Sequence, residues 1–485
     1  MPNSPKKLSN WVGGVASAPI AGLYMENTNP ATNKVISMIP RSQAEDVDQA
    51  VLLAEKAYTV WSKYSFEERA DVIDAIANRI EERIDEFALA ESQDTGKPFH
   101  IAKNVDISRV ISNFRFFAGA VRHDQTGCHM MADALNYTVR KPLGVVGLIT
   151  PWNLPLYLLS WKVAPALAMG NVVIAKPSEL TPTTASLLGD VIREVGAPLG
   201  IYSLLHGTGP EVGSAITTHP KIKAISFTGG TKTGKTVAET AGGQFKKISL
   251  ELGGKNASIV FADCDLEKTV AGVTRAAFLN QGQICLCGSR ILVQRDIYAK
   301  FIDLFAKSVS QLKVGNPNDA TSHMGSLISL DHRKKVQYYV EEGIKAGGRI
   351  LVGGTIPNMD APFTEGAWFA PTVIVDAPAT CSLSMEEVFG PVVSVHPFDT
   401  DQEAIEIANS VEYGLAATVW TSNLERAHKV SRALDTGMVW VNTWLHRDLR
   451  VPFGGVKHSG VGREGGAFSL DFYSHAQNIC ISLPR

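Results

Sequence analysis

Cysteine, net charge and long apolar runs are all scarce in this chain, and each scarcity excludes something. Six cysteines (Cys128, Cys264, Cys285, Cys287, Cys381 and Cys480) are spread over 485 residues, too thin a supply for a disulfide scaffold. None forms a CxxC pair, and the CxC at Cys285 and Cys287 matches no zinc framework, so no metal site is expected and a reducing, cytoplasmic setting is. The 46 Lys and Arg against 48 Asp and Glu leave a formal charge of -2. That balance argues against a nucleic-acid partner, because phosphate neutralisation needs a basic surplus. The longest apolar tract, Leu143 to Ala175, is cut by Pro151, Asn153, Pro155, Lys162, Pro165 and Asn171, so no membrane span is expected. The opening MPNSPKKLSNWVGG has no apolar stretch of the signal-peptide kind. The 42 Gly and 24 Pro follow no fixed period and punctuate turns.

What is present is an ordinary globular chain, 45% hydrophobic, long enough for roughly three domains of about 150 residues. The first 40 residues are loop-rich with possible short strands. Val47, Val51, Ala54, Ala57 and Trp61 then recur at helical spacing. Ser65 to Glu68 fits a capping box that opens a second helix, and Gly96-Lys97-Pro98 is a stop signal. A third helix is predicted over roughly Asp106 to Ala120. From Leu143 short apolar runs at 145–150, 171–177, 201–207, 224–230 and 247–254 alternate with helical stretches. That is the βαβ rhythm of a parallel sheet with helices on both faces. A second α/β alternation starts at Ala257 and passes through a helix from Leu266 to Asn280, a strand at 290–294, a helix from Ile297 to Leu312, and strands at 392–398 and 437–443. The stretches 136–142 and His475 to Pro484 are strand-like pieces outside both series.

Ligands in parallel sheets sit beyond the carboxyl ends of the strands, so the residues closing each run carry the chemistry. The stretch from Gly207 to Gly213 misses the GxGxxG spacing by one residue and is at least as well read as a turn. Gly229 to Thr236 matches GxxxxGK[ST] letter for letter; glycines between a strand and a helix N-terminus suit an anion, although so short a pattern also arises in any Gly- and Thr-rich turn. Cys285 follows a helix and the loop Asn280-Gln281-Gly282-Gln283-Ile284. There a thiol is either an exposed nucleophile or a small buried hydrophobe. Glu251 ends a strand beside Gly253 and Gly254, as a general base or as a solvated strand end paired with Lys255.

Leu250-Glu251-Leu252-Gly253-Gly254-Lys255, followed by the cysteine of GQIC, resembles the aldehyde dehydrogenase superfamily. So do Pro151-Trp152-Asn153, Lys176-Pro177-Ser178-Glu179, Phe227-Thr228-Gly229, Glu386 to Pro391 and Pro452 to Gly455, in that order along the chain. The resemblance implies an α/β fold of that family: a dinucleotide-binding domain (1–123 and 143–253), a catalytic domain (254–462), and a small β arm (124–142 and 463–485) that pairs with a neighbouring subunit in a homodimer or homotetramer. It implies that Cys285 is the nucleophile and that Asn153 is the oxyanion donor, together with the Cys285 backbone N–H. Glu251 would be the base that activates water for deacylation. It further implies NAD as cofactor. Lys176, Ser178 and Glu179 would lie on the adenosine side, where Glu179 would repel a 2′-phosphate. Gly230 and Thr231 would lie on the pyrophosphate side, Trp152 in the cofactor channel, and Glu387 and Phe389 at the nicotinamide ribose and ring, with Thr150, Gly209, Phe227 and Leu252 as further cofactor contacts.

The family's substrate tunnel is often apolar or aromatic, but register against its pattern brings two arginines there, Arg109 and Arg447, beside Leu154 and Trp161. Two guanidinium groups form a fork for a carboxylate. The bland alternative pairs Arg109 with Asp106 and Arg447 with Asp448. ALNYTVRKPLGV, PWNLPLYLLSWK and the tail from Asn442 resemble the 2-aminomuconate and 2-hydroxymuconate semialdehyde dehydrogenases, whose substrates are aldehydes carrying a carboxylate. Broad aliphatic, betaine-aldehyde or retinal-type oxidation is the competing expectation within the family. A cysteine hydrolase, a nucleotide hydrolase and a non-enzymatic role stand further off.

Overall fold

A computed structural model describes residues 5–483. The apolar runs from Leu143 onward fold into an eight-stranded sheet. Its order is Gly460–Val461, Lys247–Glu251, Ile222–Thr228, Val145–Ile149, Val172–Lys176, Tyr202–Leu204, Asn10–Val12 and Val15–Ser17. The strands from Lys247–Glu251 to Tyr202–Leu204 are parallel, and the strands at both ends are antiparallel to their neighbours. Val145–Ile149 and Val172–Lys176 are buried at every position. Crossover helices cover both faces, which is why these strands read as unbroken apolar runs rather than alternating ones.

The second alternation forms a seven-stranded sheet, ordered Arg349–Val352, Thr372–Val375, Val392–Phe398, Arg290–Gln294, Ala257–Val260, Ala416–Trp420 and Met438–Val441. Only its Arg349–Val352 edge is antiparallel. Period-two alternation splits the strand Arg290–Gln294 between two cores. Ile291 and Val293 pack with Phe301 and Phe305, and Leu292 packs with Phe261 and Phe398. A third, smaller sheet pairs Ser474–Ser482 with Ala134–Pro142, and Ala134–Pro142 with Cys128–Met130. The strand expected to reach Pro484 runs to Ser482, and Pro484 and Arg485 lie outside the described residues. No helix among the described residues is long and apolar enough to cross a membrane.

Several expected boundaries shift for identifiable reasons. The helix Ala44–Trp61 buries Val47, Val51, Ala54, Ala57 and Trp61 as their spacing predicts. The Ser65 box closes with Glu68 N donating to Ser65 Oγ and Ser65 N to Glu68 Oε2. The helix expected from Asp106 instead begins at Ser108, after a π-helical turn over Ala102–Ile107 that carries Asp106 inward. The helix expected to reach Asn280 stops at Phe278, because Asn280 and Gln281 take positive φ values of 53° and 57°; asparagine tolerates that region best. The helix expected over Ile297 to Leu312 is Arg295–Ser310.

One buried side chain fastens the third sheet to the first. Asn171, fully buried, accepts from Leu143 N and Gly144 N and donates to the carbonyls of Ala166 and Tyr473. Tyr473 immediately precedes the strand Ser474–Ser482. Asn171→Ala strands the Leu143 and Gly144 amides and the Tyr473 carbonyl away from water, while the Ala166 carbonyl keeps the residue 171 backbone N–H, at a cost of about 2–4 kcal/mol. Differential scanning calorimetry should show a clearly lowered Tm, and an unchanged Tm would contradict this tether.

Candidate active site

Cys285 lies in the loop between the helix Leu266–Phe278 and the strand Arg290–Gln294. Asn256, at the mouth of the neighbouring strand, holds that loop: its Nδ2 donates to the carbonyls of Cys285 (2.7 Å) and Cys287 (2.9 Å), while its Oδ1 accepts from Ala416 N. Cys285 is partly exposed, into a cavity of about 270 Å³, whereas Cys287 is buried. Burial, with the nearby Glu387 and Glu251, pushes the Cys285 thiol well up, and Arg447 opposes the shift.

Glu251 and Asn153 line the same cavity. Glu251 ends its strand and pairs with Gly460 across the sheet edge. A Cβ on Gly460 would meet the Leu250 carbonyl at 2.2 Å, so only glycine lets this edge close. Glu251 is 4% exposed, its carboxyl lies where a Cβ on Gly454 would come within 2.8 Å, and neither of its oxygens has a partner. Burial first, and then Glu464, raises its pKa far above the usual carboxylate range, against Lys162, Arg447 and Arg463. Behind it Lys162 Nζ donates to Glu464 Oε1 (2.6 Å) and to Ser226 Oγ (2.8 Å). Asn153 Nδ2 donates to the Gln283 carbonyl at 2.9 Å, which aims its amide at the cysteine loop.

Of the residues read as cofactor contacts, Trp152, Gly230, Leu252, Glu387 and Phe389 line this cavity, joined by Thr228, His332 and Lys335. Glu387 Oε1 accepts from Gly254 N at 2.9 Å, and a Cβ on Gly253 would strike its carboxyl at 2.2 Å. Trp152 packs edge-on against Phe389 and His332 at 5.3 and 5.2 Å. His332 Nε2 bonds the Phe389 carbonyl, and burial lowers its pKa to about 4. Thr150, Lys176, Ser178, Glu179, Gly209, Phe227 and Thr231 do not line the cavity. Thr150 and Lys176 close adjacent strands, with Thr150 N donating to the Lys176 carbonyl. Lys176 Nζ reaches Glu179 at 3.3 Å, and Ser178 Oγ accepts from Leu180 N. Phe227 is buried, with its ring beside Gly229. Gly209 opens a π-helical turn.

These residues fit a dinucleotide. Gly230 starts the helix Thr231–Gly242 with no side-chain cap and open space where a Cβ would be, so the first amides are free for an anion. The hydroxyls of Thr150 and Thr228 are buried without partners. Glu179, with a side chain 38% exposed, stands at a strand end where ribose hydroxyls bind in such sheets.

A second cavity, of about 320 Å³, contains both predicted arginines, with Asn104, Val105, Ser108, Ser112, Tyr157, Arg275 and Leu445. The expected surface pairings are absent: Asp106 is bound to Lys97 and Asp448 to Arg450. Arg447 is clamped between the rings of Trp161 (4.4 Å) and Phe453 (4.0 Å), with Nη1 3.4 Å from Tyr157 Oη. Its Nε and Nη2 are buried with no partner. Trp161 therefore supports Arg447 from below rather than lining the cavity. Leu154 lines neither cavity; it is core-packed beside the start of the helix Pro155–Ala168. Sequence reasoning missed Asn256, Lys162, Glu464, Tyr157 and Arg275. Tyr157 and Lys162 sat inside the recognised stretch PWNLPLYLLSWK, Asn256 directly after the motif Leu250 to Lys255, and Glu464 in the tail from Asn442, whereas Arg275 carried no signal beyond helical position.

Comparison with known proteins agrees with this geometry. A profile described as the aldehyde dehydrogenase family matches residues 19–479. The 2-hydroxymuconic semialdehyde dehydrogenase of Pseudomonas sp. (strain CF600) is 44% identical over 485 residues, covering 99% of this chain and 100% of that one. The 2-aminomuconic 6-semialdehyde dehydrogenase of Pseudomonas sp. is 47% identical over 467 residues, covering 95% of each. An aldehyde dehydrogenase of Bacillus cereus, solved as its NAD+ complex, superposes with a TM-score of 0.96 at 37% identity, covering 99% of this chain and 97% of that one. With the cysteine, carboxyl and amide gathered at one cavity and the likeness running nearly end to end, the chain belongs to the aldehyde dehydrogenase family.

Proposed function

We propose that this protein oxidises, with NAD, an aldehyde whose far end carries a carboxylate, of the 2-hydroxymuconate or 2-aminomuconate 6-semialdehyde type. The observation that carries this reading is Arg447. A guanidinium held between two aromatic rings, with two buried nitrogens lacking partners, pays a desolvation cost that a bound anion repays. Arg109 and Arg275 line the same cavity, and no carboxylate among the described residues does. A cationic aldehyde would be repelled there. The names of the relatives point to the same class of substrate.

In this reading the Cys285 thiol loses its proton to solvent, and Sγ attacks the aldehyde carbon to form a thiohemiacetal. Asn153 Nδ2, released from the Gln283 carbonyl, donates to the developing oxyanion together with the Cys285 N–H. Lys176, Glu179, the Gly230 helix start, Trp152, Glu387 and Phe389 would hold NAD, which when bound would accept the hydride whose loss leaves a thioester on Cys285. Glu251 then takes a proton from water, and the resulting hydroxide releases the acid from Cys285. The high pKa of Glu251 makes it a competent base. It also requires that turnover fall as pH drops through that raised value, because the protonated carboxyl cannot accept. Glu179 at the ribose side supports NAD over its 2′-phosphorylated form. The two large sheets serve cofactor binding and catalysis, and the third, with strands exposed along its length, is read as the arm of a homodimer or homotetramer. The six free cysteines suit a cytoplasmic setting.

Three outcomes are expected. Arg109→Ala and Arg447→Ala should each raise KM for 2-hydroxymuconate 6-semialdehyde about 10- to 100-fold, the loss of one charge-assisted contact, and leave propanal nearly unaffected; equal effects on both would refute the clamp. Glu251→Gln should retain a single-turnover burst of NADH in stopped flow while steady-state kcat falls about 10²–10⁴-fold. In the free enzyme, iodoacetamide alkylation of Cys285, followed by mass spectrometry, should quicken about tenfold per pH unit between pH 7 and 9. A rate already flat at pH 7 would mean a thiolate at rest.

A further inference from the structure

Lys97 has no part in the chemistry above, yet it is fully buried beside the site. Its Nζ donates to Asp106 Oδ2 at 2.5 Å and to the backbone carbonyl of Asn153 at 3.0 Å, and both side chains of the ion pair are 0% exposed. A buried pair of this kind gives little net stability, because desolvation offsets the attraction. Its position is more informative than its energy.

Asp106 sits on the π-helical turn Ala102–Ile107. The wide turn inserts an extra residue relative to an α-helix, so Asp106 points inward while Asn104, Val105, Ser108 and Arg109 line the arginine cavity. On the other side, the Asn153 carbonyl takes a second donor, Asn280 Nδ2 at 3.1 Å, from the cysteine loop. Asn280 Nδ2 and Asn153 Nδ2 both reach the Gln283 carbonyl, two residues before Cys285. Three segments therefore meet at Lys97: the helix that carries Arg109, the loop that carries Asn153 and, through Asn280, the loop that carries Cys285. Glu91, the other carboxyl near Lys97, is pushed up to about 8 by burial and accepts from Thr184 Oγ1. Burial raises Asp106 as well, against the attraction of Lys97, and Asp106 is the carboxyl that Lys97 Nζ bonds.

We infer that Lys97 and Asp106 are positioning residues that hold the oxyanion donor Asn153 in register with the helix carrying the substrate arginine Arg109. The inference rests on the proposed role of Asn153. It predicts that losing the pair misplaces the Asn153 amide and the Arg109 guanidinium together.

The test uses Lys97→Met/Asp106→Leu, a neutral pair of similar bulk that leaves no unpaired buried charge, with Lys97→Arg as the conservative variant and Asn153→Ala as the reference. Thermal melting establishes that each is folded. The double variant should melt near wild type yet lose about tenfold or more in kcat with both 2-hydroxymuconate 6-semialdehyde and propanal. KM should rise for the first aldehyde alone. Lys97→Arg should recover part of kcat. In the Asn153→Ala background the double substitution should cost no further kcat, since it acts through that amide. A folded double variant with wild-type kcat, beside an impaired Asn153→Ala, overturns the positioning role alone. An additive loss in the Asn153→Ala background does the same. Wild-type kcat in Asn153→Ala overturns the oxyanion assignment and this inference with it.

Discussion

Burial of the Glu251 carboxyl, packed beside Gly454 at the end of its strand, is the constraint on which the proposed chemistry depends. The strand Gly460–Val461 comes from far along the chain and closes the edge of the first sheet. A solvated carboxyl at a strand end would keep an ordinary pKa and little basicity near neutrality. Here burial, the neighbouring Glu464 and three opposing cations set the protonation balance of the proposed base. The same burial raises the Cys285 thiol, and the proposed base must be ionised before it can accept a proton from water.

Buried polar groups are handled in two ways. Glu251, Arg447 and Thr228 carry unpartnered buried atoms at the two cavities. Lys162, Lys97 and Arg290 are buried too, but each is bonded to carbonyls, hydroxyls or a carboxylate. Arg290, for instance, spends its donors on the carbonyls of Lys255, Ile407 and Ala408. Unsatisfied polar atoms cost stability; those at the cavities stand where a ligand can satisfy them, whereas Arg69 Nε and Asp106 Oδ1 line neither cavity.

Much of the fold was legible because its signals are local. Parallel strands with both faces covered must be apolar throughout, so their runs were visible, and the capping box at Ser65 needs only four residues. Boundaries were less legible where a tertiary contact overrides propensity. The helix expected to reach Asn280 stops at Phe278 because Asn280 turns back to the Asn153 and Gln283 carbonyls. The helix expected from Asp106 starts later because Lys97 draws that carboxylate inward. Asp106 had been the natural surface partner for Arg109, and only its capture by Lys97 leaves that arginine facing an open cavity.

The sequence by itself determined which groups could react: one cysteine in a flexible loop context, one glutamate at a strand end, one asparagine after Pro151-Trp152, and two arginines out of keeping with an apolar tunnel. Those are matters of residue type and motif order, which one dimension carries. Tertiary structure decided their state. Glu251 is dry because its carboxyl packs beside Gly454 and near Glu464, whether Arg447 is spent or available depends on Trp161, Phe453 and the Asp448–Arg450 pair, and where Asn153 points depends on Lys97. Desolvation and competition for partners are properties of contacts between distant segments, so no local pattern could have announced them.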